Sequence, residues 1–312
     1  MIFMVLMIST IVGALLQTSL TTALPAIVGD FQITANTAQW LTNGYSLAMG
    51  IMIPATGFLL RRFKTKSICL TGLSLYTSGL LLAALSTTFP VLLAGRVLQA
   101  LGSGMFLSMT QVVVLTIFPP HKRGTMMGIY GMAAGAAPVL APTLAGFVVD
   151  YMDWHIIFWV ALAIILFNMV FAMIYMKNVL ETEKQRFDMF SFLLSAVGFA
   201  GVTIGMGNLG TAHFTAPTIV LPLLIGLLAL VLFSRRQLHA SQPFLDIRVL
   251  KNKELRLSVI LSMLLYAVMI AGSTLMPIYI QSVHGLSATV SGLIVMPGSL
   301  AMAIISPFTG KI

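Results

Sequence analysis

Charge is what this chain has least of. Of its 312 residues only 8% are Asp, Glu, Lys or Arg and 58% are hydrophobic, where a soluble domain carries about 25% charged residues. That excludes a soluble globular protein. Cysteine is nearly absent as well: Cys69 stands alone in an apolar run, which rules out a disulfide framework and a metal centre of the Cys-cluster type. The five histidines, His121, His155, His213, His239 and His284, fall in predicted loops or at helix ends, and no two share a helix face at metal-ligand spacing. There is no GxxxxGK[ST] phosphate loop, and no Asp or Glu lies inside a predicted span. An ATP-driven pump domain or an intramembrane hydrolase therefore has nothing to work with, and no metal or cofactor is expected.

What remains is a chain of apolar runs. A bilayer crossing takes roughly 20 apolar residues, and breaking the hydropathy at charged, Gly/Pro and polar clusters predicts ten helices, over 2–27, 37–60, 67–85, 91–117, 125–149, 155–176, 190–209, 214–233, 257–280 and 288–308. The first run is too long for a signal-peptide core and has no basic leader before it, so it is read as the first span. Basic residues test the count, because cytoplasmic loops collect Lys and Arg. Arg61, Arg62, Lys64 and Lys66 follow the second span, Lys122 and Arg123 the fourth, and Lys177, Lys184 and Arg186 the sixth. Arg235, Arg236, Arg248, Lys251, Lys253 and Arg256 follow the eighth, and Lys311 the tenth. All of these connections are even-numbered; the odd ones hold no Lys or Arg, only the acids Asp30, Asp150 and Asp153. The pattern predicts a multi-pass protein of the cell membrane with both ends cytoplasmic. The net charge of +9 is then a topology signal with anionic headgroups as neighbours, not a nucleic-acid footprint.

An internal repeat adds architecture. Residues 46–57 read SLAMGIMIPATG and residues 299–310 read SLAMAIISPFTG, eight of twelve identical. Pro25 near the end of the first span has its counterpart in Pro277 near the end of the ninth. Spans two and ten are thus equivalent and run the same way through the membrane, as in transporters built from parallel repeats. The expected plan is a six-helix half over 1–176, two linking helices and a cytoplasmic loop over 177–252, and the first two helices of a second half over 253–312. On that plan the chain is expected to be a fragment of a longer protein, and not to transport alone.

Few side chains can carry chemistry. Arg96 is the one charge inside a span; such a residue usually faces a bundle interior or an aqueous cavity, with snorkelling to the nearby headgroups as the structural alternative. Gln99 and Gly102 follow it at steps of three, near one helix face, and Gly104 lies close by. Gln17 and Thr18 sit mid-span, where an amide must bond a neighbouring helix or line a wet cavity. Asn43, Tyr45, Gln111 and Asn168 are weaker candidates for lining a substrate cavity. The fifth span carries Gly124, Gly128, Gly131, Gly135, Pro138, Pro142 and Gly146, a surface suited to close helix packing and to bending. The 21 methionines suit an adaptable apolar pocket as well as ordinary lipid-facing filler.

These motifs resemble the major facilitator superfamily and, within it, the 14-helix drug:proton antiporters of the EmrB/QacA type, of six plus two plus six helices. Arg96, Gln99, Gly102 and Gly104 are similar to that family's R-x-x-Q-x-x-G-x-G motif, whose Arg is implicated in proton transfer. Gly128 and the run Pro142-Thr143-Leu144-Ala145-Gly146 resemble its antiporter motif, with Ala137, Ala141 and Ala145 where Gly is preferred. Trp40 with Tyr45, and Trp154 with Phe158, match its aromatic openings of spans two and six. After span two, Gly57, Leu59, Arg62 and Lys66 fit G-x-L-x-D-R-x-G-R-K, but Arg61 replaces the Asp and Lys64 the second Gly. Leu16, beside Gln17, stands where the family often has an acid in span one. The resemblance implies an all-α bundle that exports drug-like small molecules by alternating access, coupled to protons. Arg96, Gln99, Gly102, Pro142, Gly146, Gly57 and Arg62 would serve coupling and conformational change. An uncoupled exporter of one metabolite or lipid, or a non-transporting membrane protein, are the alternatives.

Overall fold

Local signals start and stop the helices. Pro90, Pro120 and Pro217 stand in the first turn of their helices, where a missing N–H leaves nothing unpaired. Asp188 and Asn252 cap theirs through side-chain oxygens that accept backbone N–H groups. The computed structural model describes residues 1–182, 187–209, 213–240 and 243–285 with positions 290, 294, 297, 298, 301 and 305, leaving aside the side chains of 136, 138–140, 142–143, 150, 270, 273–274, 277–278 and 281–282.

Among the described residues the chain is all helical. In order come α1 (Ile2–Phe31), a single turn α2 (Ala35–Ala38), α3 (Trp40–Arg62), α4 (Thr65–Ala84), α5 (Phe89–Ile117), α6 (Pro120–Tyr151), α7 (His155–Tyr175), α8 (Met189–Gly207), α9 (Pro217–His239), a 3₁₀ turn (Ile247–Lys251) and α10 (Lys253–Ser282). Six of them, α1, α4, α5, α7, α8 and α9, are long and apolar enough to cross a membrane. The helices α3, α6 and α10 hold 23, 32 and 30 residues, also enough for a crossing. The first nine predicted spans thus fall on the nine long helices. One is shortened: residues 37–38 belong to α2, capped by the Thr34 hydroxyl, which accepts the Thr37 N–H at 3.2 Å. The predicted span at 288–308, and with it the second copy of the repeat, lies almost wholly outside the described residues.

Glycines set the packing. On α4, Gly72 and Gly79 are seven residues apart, as are Gly95 and Gly102 on α5, and the antiparallel helices match them in pairs. A Cβ on Gly79 would lie 2.6 Å from the Gly95 carbonyl, and one on Gly102 2.7 Å from the Gly72 carbonyl, so the backbones touch and only glycine fits. The α8–α9 hairpin repeats the device, with a Cβ on Gly201 coming 2.7 Å from Gly226 Cα. Helix α1 packs against α6, α7 and α5, and its Leu6, Leu20 and Ile27 are fully buried with Leu73, Leu80, Leu92, Phe106 and Phe158. The outward faces are as apolar as the core: Phe167, Val170 and Ile174 on α7 and Leu224 and Leu228 on α9 are exposed, as a surface against lipid tails requires.

At the basic end, α8 and α9 are tied by Asp188. Its carboxylate accepts Arg236 Nε at 3.0 Å and Nη2 at 3.2 Å, and the Ser191 N–H and hydroxyl at 3.1 and 2.6 Å. Burial raises the cost of its charge, but the bonds from Arg236 and Ser191 outweigh it and hold the carboxyl at about 2 against an ordinary 3.8. A depressed carboxyl stabilises the fold above its ordinary value and stops doing so as pH falls through the folded value. Thermal stability of the intact protein should therefore drop between pH 3.8 and 2, and Asp188→Asn should flatten that part of the profile. A profile unchanged by the substitution would show the bridge contributes nothing.

Candidate functional site

Arg96 is the centre of the best-defined polar site. It sits in the first third of α5, faces the α3–α4 side of the bundle, and has 0% of its surface exposed. Placing an Arg at membrane depth costs ~2.5–3.5 kcal/mol on insertion scales. Three contacts answer that cost. Nη1 donates to Gln99 Oε1 at 2.7 Å and Nε to the Leu41 carbonyl at 3.4 Å. The guanidinium carbon lies 4.1 Å from the centroid of the Tyr45 ring. Hydrogen bonds to a charged donor contribute ~1.5–3 kcal/mol each and a desolvated cation–π contact ~2 kcal/mol, enough to offset the burial. Snorkelling is not what this side chain does.

The partners are held in turn. Gln99 Nε2 donates to the Gly79 carbonyl at 2.9 Å, possible because Gly79 and Gly95 bring α4 against α5. The Tyr45 hydroxyl donates to Ser103 Oγ at 2.6 Å, which fixes the ring over the guanidinium. Gly13 of α1 closes the cluster: a Cβ there would lie 2.9 Å from Ser103 Oγ and 3.8 Å from the Tyr45 and Tyr76 hydroxyls. Among the described residues no carboxylate pairs with Arg96, and its Nη2 has no hydrogen-bond partner. The site is a permanent cation in an apolar bundle, solvated by a ring, an amide and a carbonyl, with the Nη2 amino group in reserve.

Of the residues singled out in the sequence, Arg96, Gln99, Gly102 and Tyr45 come together here, with Gly102 serving the close approach of α4. Asn43 borders a cavity of about 170 Å³ between α3 and α8, shared with Ser46, Gly50, Phe199 and Thr203. Gly57 borders a second cleft of about 480 Å³ nearer the basic end, walled by Phe58, Phe199, Phe233 and Phe244 and flanked by Arg61 and Asp246. Arg62 is exposed at the end of α3, 5.7 Å from the Phe63 ring centroid. Gln17 is half-buried on α1, and the Thr18 hydroxyl donates to the Ala14 carbonyl of its own helix at 3.1 Å. Gln111 is exposed on α5. Asn168 is buried and donates from Nδ2 to the Val5 carbonyl and Ser9 Oγ at 2.9 and 2.8 Å, which joins α7 to α1. Gly146 is half-buried with open space beside it, and the Pro142 side chain lies outside the described residues. Sequence reasoning missed Ser103, Gly79 and Gly95; the matched seven-residue glycine spacing on consecutive spans was the available signal.

An apolar-faced helical bundle around a buried cation, with no carboxylate against it among the described residues, has the build of a multi-pass membrane protein. Among solved structures, a POT family transporter in complex with a thioalcohol-conjugated peptide superposes with a TM-score of 0.69 over 98% of this chain and 68% of that one, at 16% identity, a likeness of fold. The sequence signature of the Major Facilitator Superfamily covers residues 6–312, and the chain belongs to that family. It is therefore a multi-pass membrane protein of a transporter family, and not an enzyme. Two Bacillus subtilis (strain 168) relatives are each 38% identical: the uncharacterized MFS-type transporter YcnB, over 99% of this chain and 65% of its own length, and the lincomycin resistance protein LmrB, over 98% and 64%. The chain thus spans just under two thirds of the length of these relatives.

The role of Tyr45 yields a graded test. Tyr45→Phe keeps the ring and loses one hydroxyl bond, worth about 1 kcal/mol; Tyr45→Leu also bares the guanidinium face, a further loss of about 2 kcal/mol. Thermal unfolding of the intact protein should rank parent above Phe above Leu. Equal melting of the Phe and Leu variants would remove the ring from the account of Arg96.

Proposed function

We propose that this chain works in a secondary active exporter of drugs or other amphipathic compounds, driven by proton antiport, with its N-terminus on the cytoplasmic side of the cell membrane. The observation that carries this reading is the buried, acid-free Arg96 in a chain 38% identical to a lincomycin resistance protein. A permanent cation solvated only by neutral groups makes its surroundings respond to any charge that enters or leaves. Protons and cationic substrates are such charges, and each would shift the balance between inward- and outward-facing forms by its differential affinity for the two. On this reading Gln99, Gly102, Gly57, Arg62, Pro142 and Gly146 serve the conformational change. Asn43 serves substrate contact with Gln17, Thr18 and Gln111 as further candidates, whereas Tyr45 and Asn168, the other two singled out in the sequence, are taken up by Arg96 with Ser103 and by α1. The orientation follows from the Lys and Arg of the even-numbered loops.

A second reading, an uncoupled exporter of one metabolite or lipid, is favoured by the lack of any Asp or Glu in the predicted spans. One experiment separates the two. In a strain deleted for the gene and complemented with the intact protein, accumulation of a panel of lincosamides, dyes and amphipathic amines is measured before and after an ionophore collapses the proton gradient. Proton-driven drug export predicts a several-fold lower accumulation of at least one compound, abolished by the ionophore. Lowered accumulation that survives the ionophore would favour the second reading, and no change across the panel would overturn drug export.

A further inference from the structure

The end of the bundle opposite the basic loops carries acids and histidines but no Lys or Arg. There His155, the first residue of α7, is held between two acceptors. Its Nδ1 lies 2.5 Å from Asp153 Oδ1 and its Nε2 lies 3.0 Å from the carbonyl oxygen of Ser86, in the turn between α4 and α5. The same Asp153 oxygen accepts the His155 backbone N–H at 2.7 Å, which sets the direction from which the imidazole approaches. Trp154 stacks on that imidazole, centroids 3.6 Å apart and planes 25° from parallel. Its own Nε1–H donates to Asp30 Oδ2 of α1 at 3.3 Å.

A neutral imidazole has one N–H and one lone pair, whereas the imidazolium has two N–H donors. A carboxylate and a peptide carbonyl are both acceptors. Either neutral tautomer therefore turns a lone pair onto an acceptor oxygen at contact distance, and only the protonated ring satisfies both contacts. We propose that His155 is a proton-binding site whose proton fastens the start of α7 to the α4–α5 turn, and whose loss releases it.

The surrounding charges favour such a site. Asp153 faces the ring from its own segment and Asp30 from α1 through Trp154, while the turn at 85–88 brings a carbonyl and no ionisable side chain. Ser86 lies just past the C-terminus of α4, where the helix dipole favours a cation; His155 opens α7, where the dipole opposes one. These two oppose one another. Burial works against the Asp153 charge, yet hydrogen bonds from the His155 backbone and ring hold that carboxyl below its ordinary value. The side chain of His155 is 21% exposed and that of Asp153 64%, so protons reach the pair from the surface. Helix α7 packs along α4 and α1, so the clamp ties proton activity at this end of the molecule to the seating of α7 on both.

Trp154 supplies the reporter, because an imidazolium stacked on indole quenches its fluorescence far better than neutral imidazole does. In the intact protein, with every other tryptophan replaced by Phe, Trp40 and Trp159 among them, emission is followed between about pH 5 and 9, the range that brackets histidine titration. The expected result is a fall in emission on acidification that is absent in His155→Gln and moves to lower pH in Asp153→Asn. A flat profile, or the same step surviving in His155→Gln, would overturn the proposal. Should His155→Gln fail to accumulate, Asp153→Asn decides: an unchanged midpoint counts against the site and a lowered one supports it.

Discussion

Keeping one guanidinium in an apolar bundle without a carboxylate constrains everything around it. Arg96 needs acceptors and a ring at fixed distances, and no single helix can supply them. Gln99 comes from its own helix, the Leu41 carbonyl and Tyr45 from α3, and the Gly79 carbonyl that orients Gln99 from α4. Those distances hold only if α4 and α5 touch backbone to backbone, which is what Gly79 with Gly95 and Gly72 with Gly102 permit. A methyl group at Gly79, Gly95 or Gly102 would meet a facing backbone carbonyl at 2.6–2.8 Å, push the helices apart and undo the solvation of the charge. Packing and electrostatics here are one problem with one solution.

The contrast with the α3–α8 side is physical. Where α4 meets α5, glycine meets glycine and no space is left. Where α3 meets α8, large side chains such as Phe58 and Phe199 stand beside small ones, Ser46, Gly50 and Gly57, and leave clefts of about 170 and 480 Å³. Tight contacts are bistable and move as bodies, while loosely filled ones can repack. On the proposed reading the tight block would hold the Arg96 charge, and the loosely filled side would offer an adaptable surface to compounds of varied shape.

Much of this was legible in the amino-acid sequence. Hydropathy with the alternation of Lys and Arg placed the nine long helices, since span length and loop charge are set by the bilayer, a constraint local to each segment. Arg96, Gln99 and Gly102 were readable for a similar reason, being neighbours on one helix face. The partnership of Arg96 with Tyr45 was not, because Tyr45 read only as a weaker candidate for lining a cavity and only the crossing of α3 over α5 places its ring. Asn168 shows the same limit: a mid-span amide must find partners, but whether they are water, substrate or, as here, Val5 and Ser9 depends on which face α1 presents. His155 reads in the sequence only as one of five histidines in loops or at helix ends, ordinary until the Ser86 carbonyl is known to face it.

The central claim is that the Arg96 charge is kept for coupling, with packing arranged to tolerate it. The most direct test measures transport and membrane abundance together in the intact protein carrying Arg96→Lys. Lysine retains the charge but not the planar fork that reaches Gln99, the Leu41 carbonyl and the Tyr45 face at once. The account predicts abundance close to that of the parent with proton-driven export reduced at least about tenfold, the effect of losing one charge-assisted contact of ~1.5 kcal/mol or more. Export at the parental rate, at equal abundance, would contradict it.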